Sequence, residues 1–216
     1  MDLRKHIEAT LLRPEKTWRE YEEFIEKAIE HKVFGVCIPP PRVKQSREMI
    51  KDTGLKLISV CDFPFGYENA DIKKKETEKL FELGCDEVDM VMNIQKFKDG
   101  KFGEVEKEIE EVVKVAGGKP IKVIIECGLL TYEEISLATK VVCGAGASFV
   151  KTSTGFLARG VRLSDIRIIK KSLSNGVKIK ASGGVSSYEF AKLLIEMGVE
   201  RIGTSRAFDI LREEDK

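Results

Sequence analysis

The sequence predicts a closed (β/α)8 barrel that occupies residues 1–216 as a single domain. Three observations favour this fold class. Short apolar runs rich in β-branched residues recur about every 28 residues, the length of one strand, one helix and two loops. Charged segments with helical spacing of apolar residues separate these runs, as in a parallel sheet covered by helices. Eight units indicate a closed barrel, because an open doubly wound sheet usually carries a GxGxxG motif, which this sequence lacks.

The predicted strands are the eight apolar runs. They begin near Ile7, Val33, Leu57, Glu87, Lys122, Phe149, Lys178 and Arg201. Between them, residues 17–31, 71–83 and 103–115 carry apolar side chains at helical spacing among Glu and Lys. We found no linker or low-complexity tract, so one domain is the economical interpretation.

Helix ends are marked by capping residues and glycines. Thr17, Thr131 and Ser186 are each followed three residues later by Glu, which predicts three capping boxes. Glycines are expected to end helices in the left-handed conformation. They are Gly54, Gly84, Gly117, Gly146, Gly176 and Gly198.

The charge balance argues against broad classes of partner. Lys and Arg number 37 against 36 Asp and Glu, a net charge of +1. A near-neutral chain has no overall attraction for nucleic acid or an anionic membrane. The N-terminus lacks the apolar stretch of a signal peptide, and no apolar run approaches a membrane span. These features predict a cytoplasmic protein.

The rare residues limit the chemistry. Two histidines, His6 and His31, cannot build a His-rich metal site within one chain. The five cysteines show no CxxC spacing, so they are interpreted as small buried hydrophobes in a reducing compartment. We therefore expect no metal and no cofactor, with chemistry supplied by Lys, Asp, Glu, Ser or Thr.

Several predicted strands end in polar residues. In a barrel, inward positions and carboxyl ends of strands carry function. Alternation along residues 87–93 directs Asp89 and Asn93 into the barrel. Lys151, Lys180 and Glu126 each follow a short apolar run, so they are expected at strand ends.

Lys151 and Lys180 occupy matching positions on adjacent strands, which lie about 4.8 Å apart. Like charge and desolvation disfavour protonation, so at least one amine should lose its proton more easily. A neutral lysine is a nucleophile that forms Schiff bases with carbonyl compounds. The alternative is that either lysine pairs with Asp89 or Glu126 and merely fills the barrel.

Glycine-rich segments follow the same strands. Barrels commonly bind phosphate with the loops after strands seven and eight. Here these loops contain Gly183 and Gly184, then Gly203, Thr204 and Ser205. Residues 154–155 after strand six are placed to join them. The segments together predict a phosphate site.

Several segments now resemble deoxyribose-phosphate aldolases, the class I aldolases of deoxynucleoside breakdown, across nearly the whole chain. The most specific are residues 149–156 (FVKTSTGF) and 178–184 (KIKASGG). The others are residues 86–91 (DEVDMV), 122–126 (KVIIE), 10–14 (TLLRP), 36–40 (VCIPP) and 62–66 (DFPFG). The resemblance implies a TIM barrel, in agreement with the spacing.

The resemblance also implies roles for individual residues. Lys151 would form the Schiff base, Lys180 would lower its proton affinity, and Asp89 would steer proton transfer with an ordered water. Thr10 and Cys37 would line the substrate pocket. The implied phosphate-binding residues are Gly155, Gly183, Gly184, Gly203, Thr204 and Ser205, with Thr154 beside them.

This sequence departs from the family pattern in two places. Glu8 and Ala9 precede Thr10, where the family commonly has Asp-His. Residues 157–160 read LARG, where many members have a Ser/Gly-rich turn. Arg159 is expected to be a solvated loop residue rather than a phosphate contact. These departures affect the predicted shape of the substrate mouth.

The resulting prediction is a metal-free aldolase that cleaves 2-deoxy-D-ribose 5-phosphate to D-glyceraldehyde 3-phosphate and acetaldehyde. Two alternatives remain at this stage: another Schiff-base aldolase or lyase acting on a keto acid or ketose phosphate, and a non-catalytic sugar-phosphate-binding barrel. Expected partners are small sugar phosphates and aldehydes, without nucleic acid or membrane. Because such barrels often associate through helix faces, a homodimer or homotetramer is expected, although no stripe of residues identifies an interface.

Overall fold

The computed structural model describes residues 2–214 and contains the predicted barrel. Eight parallel strands pair in chain order, and the last pairs with the first to close the sheet. The predicted domain limits, residues 1 and 216, lie outside the described residues. The strands are β1 Ile7–Thr10, β2 Gly35–Ile38, β3 Lys56–Cys61, β4 Glu87–Val91, β5 Ile121–Ile124, β6 Phe149–Lys151, β7 Lys178–Ser182 and β8 Arg201–Thr204.

Helices cover the outside of the barrel. They are α1 Trp18–Glu30, α2 Val43–Ile50, α3 Ala70–Glu82, α4 Ile94–Lys98, α5 Phe102–Val115, α6 Tyr132–Gly144, α7 Leu163–Ser172, α8 Tyr188–Glu196 and α9 Ala207–Glu214. The three helical segments predicted from periodicity correspond to α1, α3 and α5. The short helix α4 is an addition between β4 and β5 that the apolar pattern did not predict.

Two of the three predicted capping boxes are confirmed, at Thr17 and Thr131. The third is wrong by one residue. Ser187, not Ser186, caps α8, and its hydroxyl accepts from the backbone N–H of Phe190. Ser187 takes the extended conformation that a cap requires, and the N–H of Tyr188 donates to Glu213 of α9 rather than to a residue of its own helix. The first N–H groups of a helix have no acceptor within it, so Glu213 supplies one for Tyr188, and the extended Ser187 marks the start of α8.

The apolar core lies between the strands and the helices. Val88 and Met90 of β4 belong to it, whereas Asp89 between them contacts lysines inside the barrel. The five cysteines are all buried with free thiols, as predicted for small hydrophobes. The six glycines predicted at helix ends all have positive φ. Alternation along each strand thus separates an apolar outer face from a partly charged interior.

A small apolar cluster covers one side of the barrel interior. It consists of Leu12, Cys37, Ile58 and Val60, with Phe63 packed against it. These residues come from β1 to β3 and the loops that follow β1 and β3. The opposite side of the interior is charged.

Candidate active site

A cavity of about 200 Å³ lies at the carboxyl ends of the strands, between the loops that follow β1, β6, β7 and β8. The predicted site residues that line it come from all four strands or their loops. They are Thr10, Lys151, Thr154, Gly155, Gly183, Gly184, Gly203, Thr204 and Ser205. The structure therefore gathers into one cavity most of the residues that the sequence suggested.

Lys151 and Lys180 are register partners on β6 and β7 and point to the same carboxylate. Lys151 Nζ lies 2.8 Å from Asp89 Oδ2, and Lys180 Nζ lies 2.6 Å from the same oxygen. The Lys180 side chain is completely buried, whereas Lys151 is the last residue of its strand and lines the cavity. The predicted lysine pair and the predicted aspartate thus meet inside the barrel.

Three charged residues that were not predicted as site residues complete this arrangement. Lys122 Nζ lies 2.9 Å from Asp89 Oδ1, 2.5 Å from Glu87 Oε2 and 3.6 Å from Glu8 Oε1. Lys180 also donates to the Glu8 carboxylate. We call the whole set the barrel ionic cluster. Its members are Glu8, Glu87, Asp89, Lys122, Lys151 and Lys180.

The strand pattern contained a signal for these missed residues. Glu8 lies between Ile7 and Ala9, which both belong to the core beneath the helices. Lys122 lies in the same way between two core residues of β5. A charged residue between two outward apolar residues must face the barrel interior. Alternation alone could therefore have predicted that Glu8 and Lys122 face the barrel interior. It could not have predicted which partners they contact.

Opposite charges within the barrel ionic cluster shift the pKa values of Asp89, Lys122 and Lys180. Burial alone would raise the pKa of Asp89, but the ammonium groups of Lys122, Lys151 and Lys180 lower it well below its usual range. Burial disfavours the charged forms of Lys122 and Lys180, yet Asp89 and Glu8 outweigh it and raise both pKa values. Repulsion between the lysines therefore does not make Lys180 easier to deprotonate.

Glycines let the loops after β6 and β7 approach each other. Gly183 and Gly184 have φ values of 82° and 76°, a region that L side chains rarely adopt. The N–H of Val161 donates to the carbonyl of Gly183. A Cβ added to Gly160 would lie 2.2 Å from that carbonyl oxygen. The cavity wall at this point is therefore built from backbone.

Gly203 has a different role, because it makes room for a lysine. A Cβ at this position would lie 3.0 Å from Cε of Lys180. The next residue, Thr204, uses its hydroxyl to donate to the carbonyl of Val185 and to accept from the N–H of Arg206. The hydrogen bond to Val185 thus connects the β8 loop to the β7 loop beside the cavity.

Cys37 is the one predicted substrate-binding residue outside the set that lines the cavity. It is fully buried in the apolar cluster of β1 to β3. Burial, and to a smaller extent Asp89, raises the pKa of its thiol to about 11. The thiol is therefore protonated at neutral pH.

Three other expectations are corrected. β5 ends at Ile124, so Glu126 lies in a turn, where its carboxylate accepts from the N–H of Thr154 instead of facing the lysines.

Asn93 lies beyond β4 and caps α4 by accepting from the N–H of Lys96. Arg159 is not a solvated residue, because its guanidinium donates twice to the buried carboxylate of Asp165, at 2.6 and 2.9 Å.

Among residues 2–214, no group of three or more His, Cys, Asp or Glu side chains is arranged to hold a metal ion. None of the helices in this part of the chain is long and apolar enough to cross a bilayer.

Comparisons with known proteins agree with the geometry. The model of the DeoC/LacD family aldolase matches residues 5–204. A deoxyribose-phosphate aldolase from Mycoplasmopsis pulmonis is 43% identical over 215 residues, which cover 100% of this chain and 98% of the relative. The solved structure of QR15, an aldolase, superposes with a TM-score of 0.95 at 38% identity and covers 99% of this chain and 96% of that one.

A further solved structure is a tetrameric deoxyribose phosphate aldolase from Aeropyrum pernix. It has a TM-score of 0.90 and 29% identity, covering 99% of this chain and 91% of that one. The relatives match over almost their whole lengths, so the likeness includes the strand ends that carry the cavity. The chain therefore belongs to the DeoC/LacD family of aldolases, which are lyases.

Proposed function

We propose that this aldolase cleaves 2-deoxy-D-ribose 5-phosphate to D-glyceraldehyde 3-phosphate and acetaldehyde, and catalyses the reverse condensation, through a Schiff base on Lys151. The substrate is suggested by the relative from M. pulmonis, which is named for this reaction and aligns with the whole chain. The family membership disfavours a non-catalytic binding barrel.

One observation carries the assignment of Lys151. Three lysines meet at Asp89, and two of them, Lys122 and Lys180, have fully buried side chains. Lys151 lines the cavity, so its amine can reach a carbonyl compound bound there. Among the described residues, its Nζ has a single hydrogen-bond partner, Asp89. A nucleophile needs both this access and this freedom.

The chemistry follows from an amine in that position. Lys151 attacks C1 of the open-chain sugar, and loss of water gives an iminium ion. The hydroxyl on C3 loses its proton, the C2–C3 bond breaks, and its electrons flow into the iminium to form an enamine. C3 becomes the aldehyde carbon of glyceraldehyde 3-phosphate. Protonation of the enamine at C2 and hydrolysis of the resulting iminium release acetaldehyde and the free amine.

Asp89 and Lys180 would support these steps. The low pKa of Asp89 keeps it ionised, so it can orient the Lys151 amine and take up a proton only transiently, through a water. Lys180 stays protonated on the same carboxylate oxygen, and its charge helps to keep Asp89 ionised. It stays a prediction that Lys180 makes Lys151 easier to deprotonate. The pH profile of kcat in a Lys180→Met variant tests it.

The remaining features of the proposal concern the phosphate and the assembly. The loops with Gly155, Gly183, Gly184 and Ser205 would bind the phosphate, since backbone amides in such turns suit an anion.

We also infer that the chain forms a homo-oligomer in the cytoplasm. The tetrameric relative from A. pernix supports the assembly, and light scattering on the purified protein tests it.

The decisive experiment is borohydride trapping with acetaldehyde, followed by peptide mapping. The ethyl adduct should lie on Lys151, and Lys151→Ala should abolish it. Lys178→Ala is a matched control, because Lys178 is an exposed lysine of β7 at the other end of the strand. An adduct on Lys122 or Lys180 would overturn the assignment. Pyruvate and dihydroxyacetone as alternative donors distinguish this aldolase from others on the same fold.

A further inference from the structure

The loop after β6 spans residues 152–162 and contains no helix or strand. Three of its residues, Thr154, Gly155 and Phe156, line the cavity. Loops without secondary structure of their own are more mobile than the elements they connect, unless side chains tie them down. The contacts that hold this loop therefore decide the shape of one wall of the cavity.

Arg159 ties the loop to two neighbouring parts of the fold. Its Nη1 and Nη2 atoms lie 2.6 and 2.9 Å from the two carboxylate oxygens of Asp165 in α7. Nη2 also donates to the carbonyl of Cys127, in the segment after β5, at 3.2 Å. The Asp165 side chain is completely buried, and 24% of the Arg159 side chain is exposed. A bidentate pair of this kind is both strong and geometrically specific.

The backbone beside Arg159 is closely packed on two sides. A Cβ added to Gly128, in the segment after β5, would lie 2.7 Å from Cβ of Ala158 and 2.9 Å from the backbone N of Arg159. On the other side, the N–H of Val161 donates to the carbonyl of Gly183. Arg159 therefore lies where the loop fits between the segment after β5 and the loop after β7.

A second anchor lies at the start of the same loop, where the N–H of Thr154 donates to the buried carboxylate of Glu126 at 2.9 Å. Between the two anchors, Phe156 is 41% exposed and packs edge-on against Phe63, with ring centres 5.2 Å apart. The guanidinium carbon of Arg13 lies 5.7 Å from the centre of the Phe156 ring. These aromatic contacts are weaker than charge-assisted hydrogen bonds, so the position of Phe156 depends on the anchors.

We propose that Arg159 is a positioning residue of this aldolase, whose pair with Asp165 holds the cavity-lining part of the loop after β6 in the shape that binds substrate. The inference rests on the proposed function for the identity of that substrate. Lys151 is held by Asp89 inside the barrel and not by this loop. Loss of Arg159 should therefore weaken substrate binding without slowing the chemical step.

The first test separates KM from kcat. For Arg159→Met we expect KM for 2-deoxyribose 5-phosphate to rise about tenfold, with kcat within about twofold of the wild type. The reason is that KM rises in inverse proportion to the fraction of protein whose loop has the binding shape, here about one tenth. Arg159→Lys keeps the charge but not the planar fork, so it should restore part of the loss, to about threefold.

A double variant distinguishes positioning from stability alone. Arg159→Met leaves the carboxylate of Asp165 buried without its guanidinium, which should lower stability in urea unfolding. In Arg159→Met/Asp165→Asn that charge is removed as well, and the amide oxygen can still accept from the N–H of Arg162. Stability should then return toward the wild-type value while KM stays raised. A KM that recovers together with stability would show that Arg159 is only structural.

Arg47→Met is the matched control, because Arg47 forms the same kinds of contact away from the cavity. It pairs with Asp86 at 2.6 Å, donates to the carbonyl of Gly84, and has a side chain that is 29% exposed. Asp86 directly precedes β4, so this pair lies at the opposite end of the barrel. We expect an unchanged KM in Arg47→Met, whatever its stability.

Hydrogen exchange over residues 152–162, measured by mass spectrometry, tests the loop without any substrate. Exchange should be faster than in the wild type in Arg159→Met and in the double variant, and unchanged in Arg47→Met. Unchanged exchange, or an unchanged KM in both folded variants, would overturn the role of Arg159. If wild-type protein fails to cleave 2-deoxyribose 5-phosphate, the proposed function is contradicted, and exchange still decides whether Arg159 holds the loop.

Discussion

Among residues 2–214, lysine side chains are buried with carboxylates in two regions, and one of these regions lines the cavity at the carboxyl ends of the strands. Outside the barrel, the fully buried Lys73 of α3 contacts Glu108 of α5 at 2.6 Å and Asp62 after β3 at 3.3 Å. Its amine also donates to the carbonyl of Val91 at 2.9 Å. The barrel ionic cluster is equally buried but ends at Lys151, which faces the cavity.

The difference lies in the donors that remain free. An ammonium group has three donors, and Lys73 has three oxygen partners: it hydrogen-bonds to Val91 and Glu108 and forms an ion pair with Asp62. Lys151 has one partner among the described residues and an open side. Burial and pairing with a carboxylate therefore do not distinguish the proposed nucleophile, Lys151, from Lys73. Access to a cavity and an incomplete set of partners do.

The largest expected effect is the loss of activity in Lys151→Ala. If Lys151 is the proposed covalent nucleophile, its removal should lower kcat by a factor on the order of 10⁴ or more. Stability should change little, because Lys122 and Lys180 continue to neutralise Asp89. Steady-state kinetics and thermal unfolding check the two halves. An inactive variant that is also strongly destabilised would place Lys151 with Lys73 as a structural residue.

The second largest effect is the loss of stability in Lys73→Met. Removing Lys73 breaks its buried pair with Glu108 and leaves that carboxylate with Lys96, 3.6 Å away, and breaking a buried ion pair costs about 3–5 kcal/mol. We expect this loss in urea unfolding, with kcat of the folded variant unchanged. In Lys73→Met/Glu108→Leu the loss should be smaller, because the Glu108 carboxylate, 2% exposed, is also removed. A large change in kcat in the folded protein would show that the outer pair also acts on the reaction.

A smaller effect is expected from Gly203→Ala inside the barrel. The added methyl group would lie 3.0 Å from Cε of Lys180 and displace that side chain by a few tenths of an ångström. We expect kcat to fall by about tenfold, since small misplacements near the chemistry cost one to two orders of magnitude. Gly103→Ala is the control, because Gly103, like Gly203, is not in the positive-φ region but has no atom within 4 Å of the added Cβ. Equal activity in both variants would contradict the role assigned to Lys180.

The smallest effect concerns stability at acid pH. The folded-state pKa of Asp89 is depressed, so its stabilisation is present above the unfolded value of about 3.9 and is lost as pH falls further. Between about pH 4 and pH 2.5, unfolding of the wild type should therefore depend more steeply on pH than that of Asp89→Asn. The difference is at most one proton, or about 1.4 kcal/mol per pH unit. Parallel curves from urea unfolding at several pH values would show that Asp89 is not the depressed carboxyl.

Much of the fold could be predicted because its signals are local. The eight apolar runs, the helical spacing and the caps at Thr17 and Thr131 depend on residues within one or two turns of each other. The capping box expected at Ser186 failed because two adjacent serines precede α8, and the local pattern does not show which of them takes the extended conformation of a cap. The N–H of Tyr188 also donates to Glu213, 25 positions away, a contact that no local pattern contains.

The site was predictable in part for the same reason. Charged residues within apolar strands are recognisable from the sequence, as with Lys151, Lys180 and Asp89. Strand order alone makes the two lysines neighbours. Glu8 is 172 residues from Lys180 along the chain, so their contact depends on how the closed sheet aligns its strands. The pairing of Arg159 with Asp165 likewise depends on how the β6 loop folds back onto α7.

Local patterns along the chain specify the alternation of strands and helices, the apolar outer face of each strand and the identity of the charged residues inside. Which of those charges contact one another depends on the folded barrel. Closure of the barrel brings three lysines to one aspartate, raises the pKa of Lys180 through Asp89 and Glu8 against the opposing effect of burial, and leaves Lys151 at the cavity. The reason is physical: periodicity acts between neighbouring residues, whereas Coulomb interactions inside a barrel depend on distances that strand register sets across the whole chain.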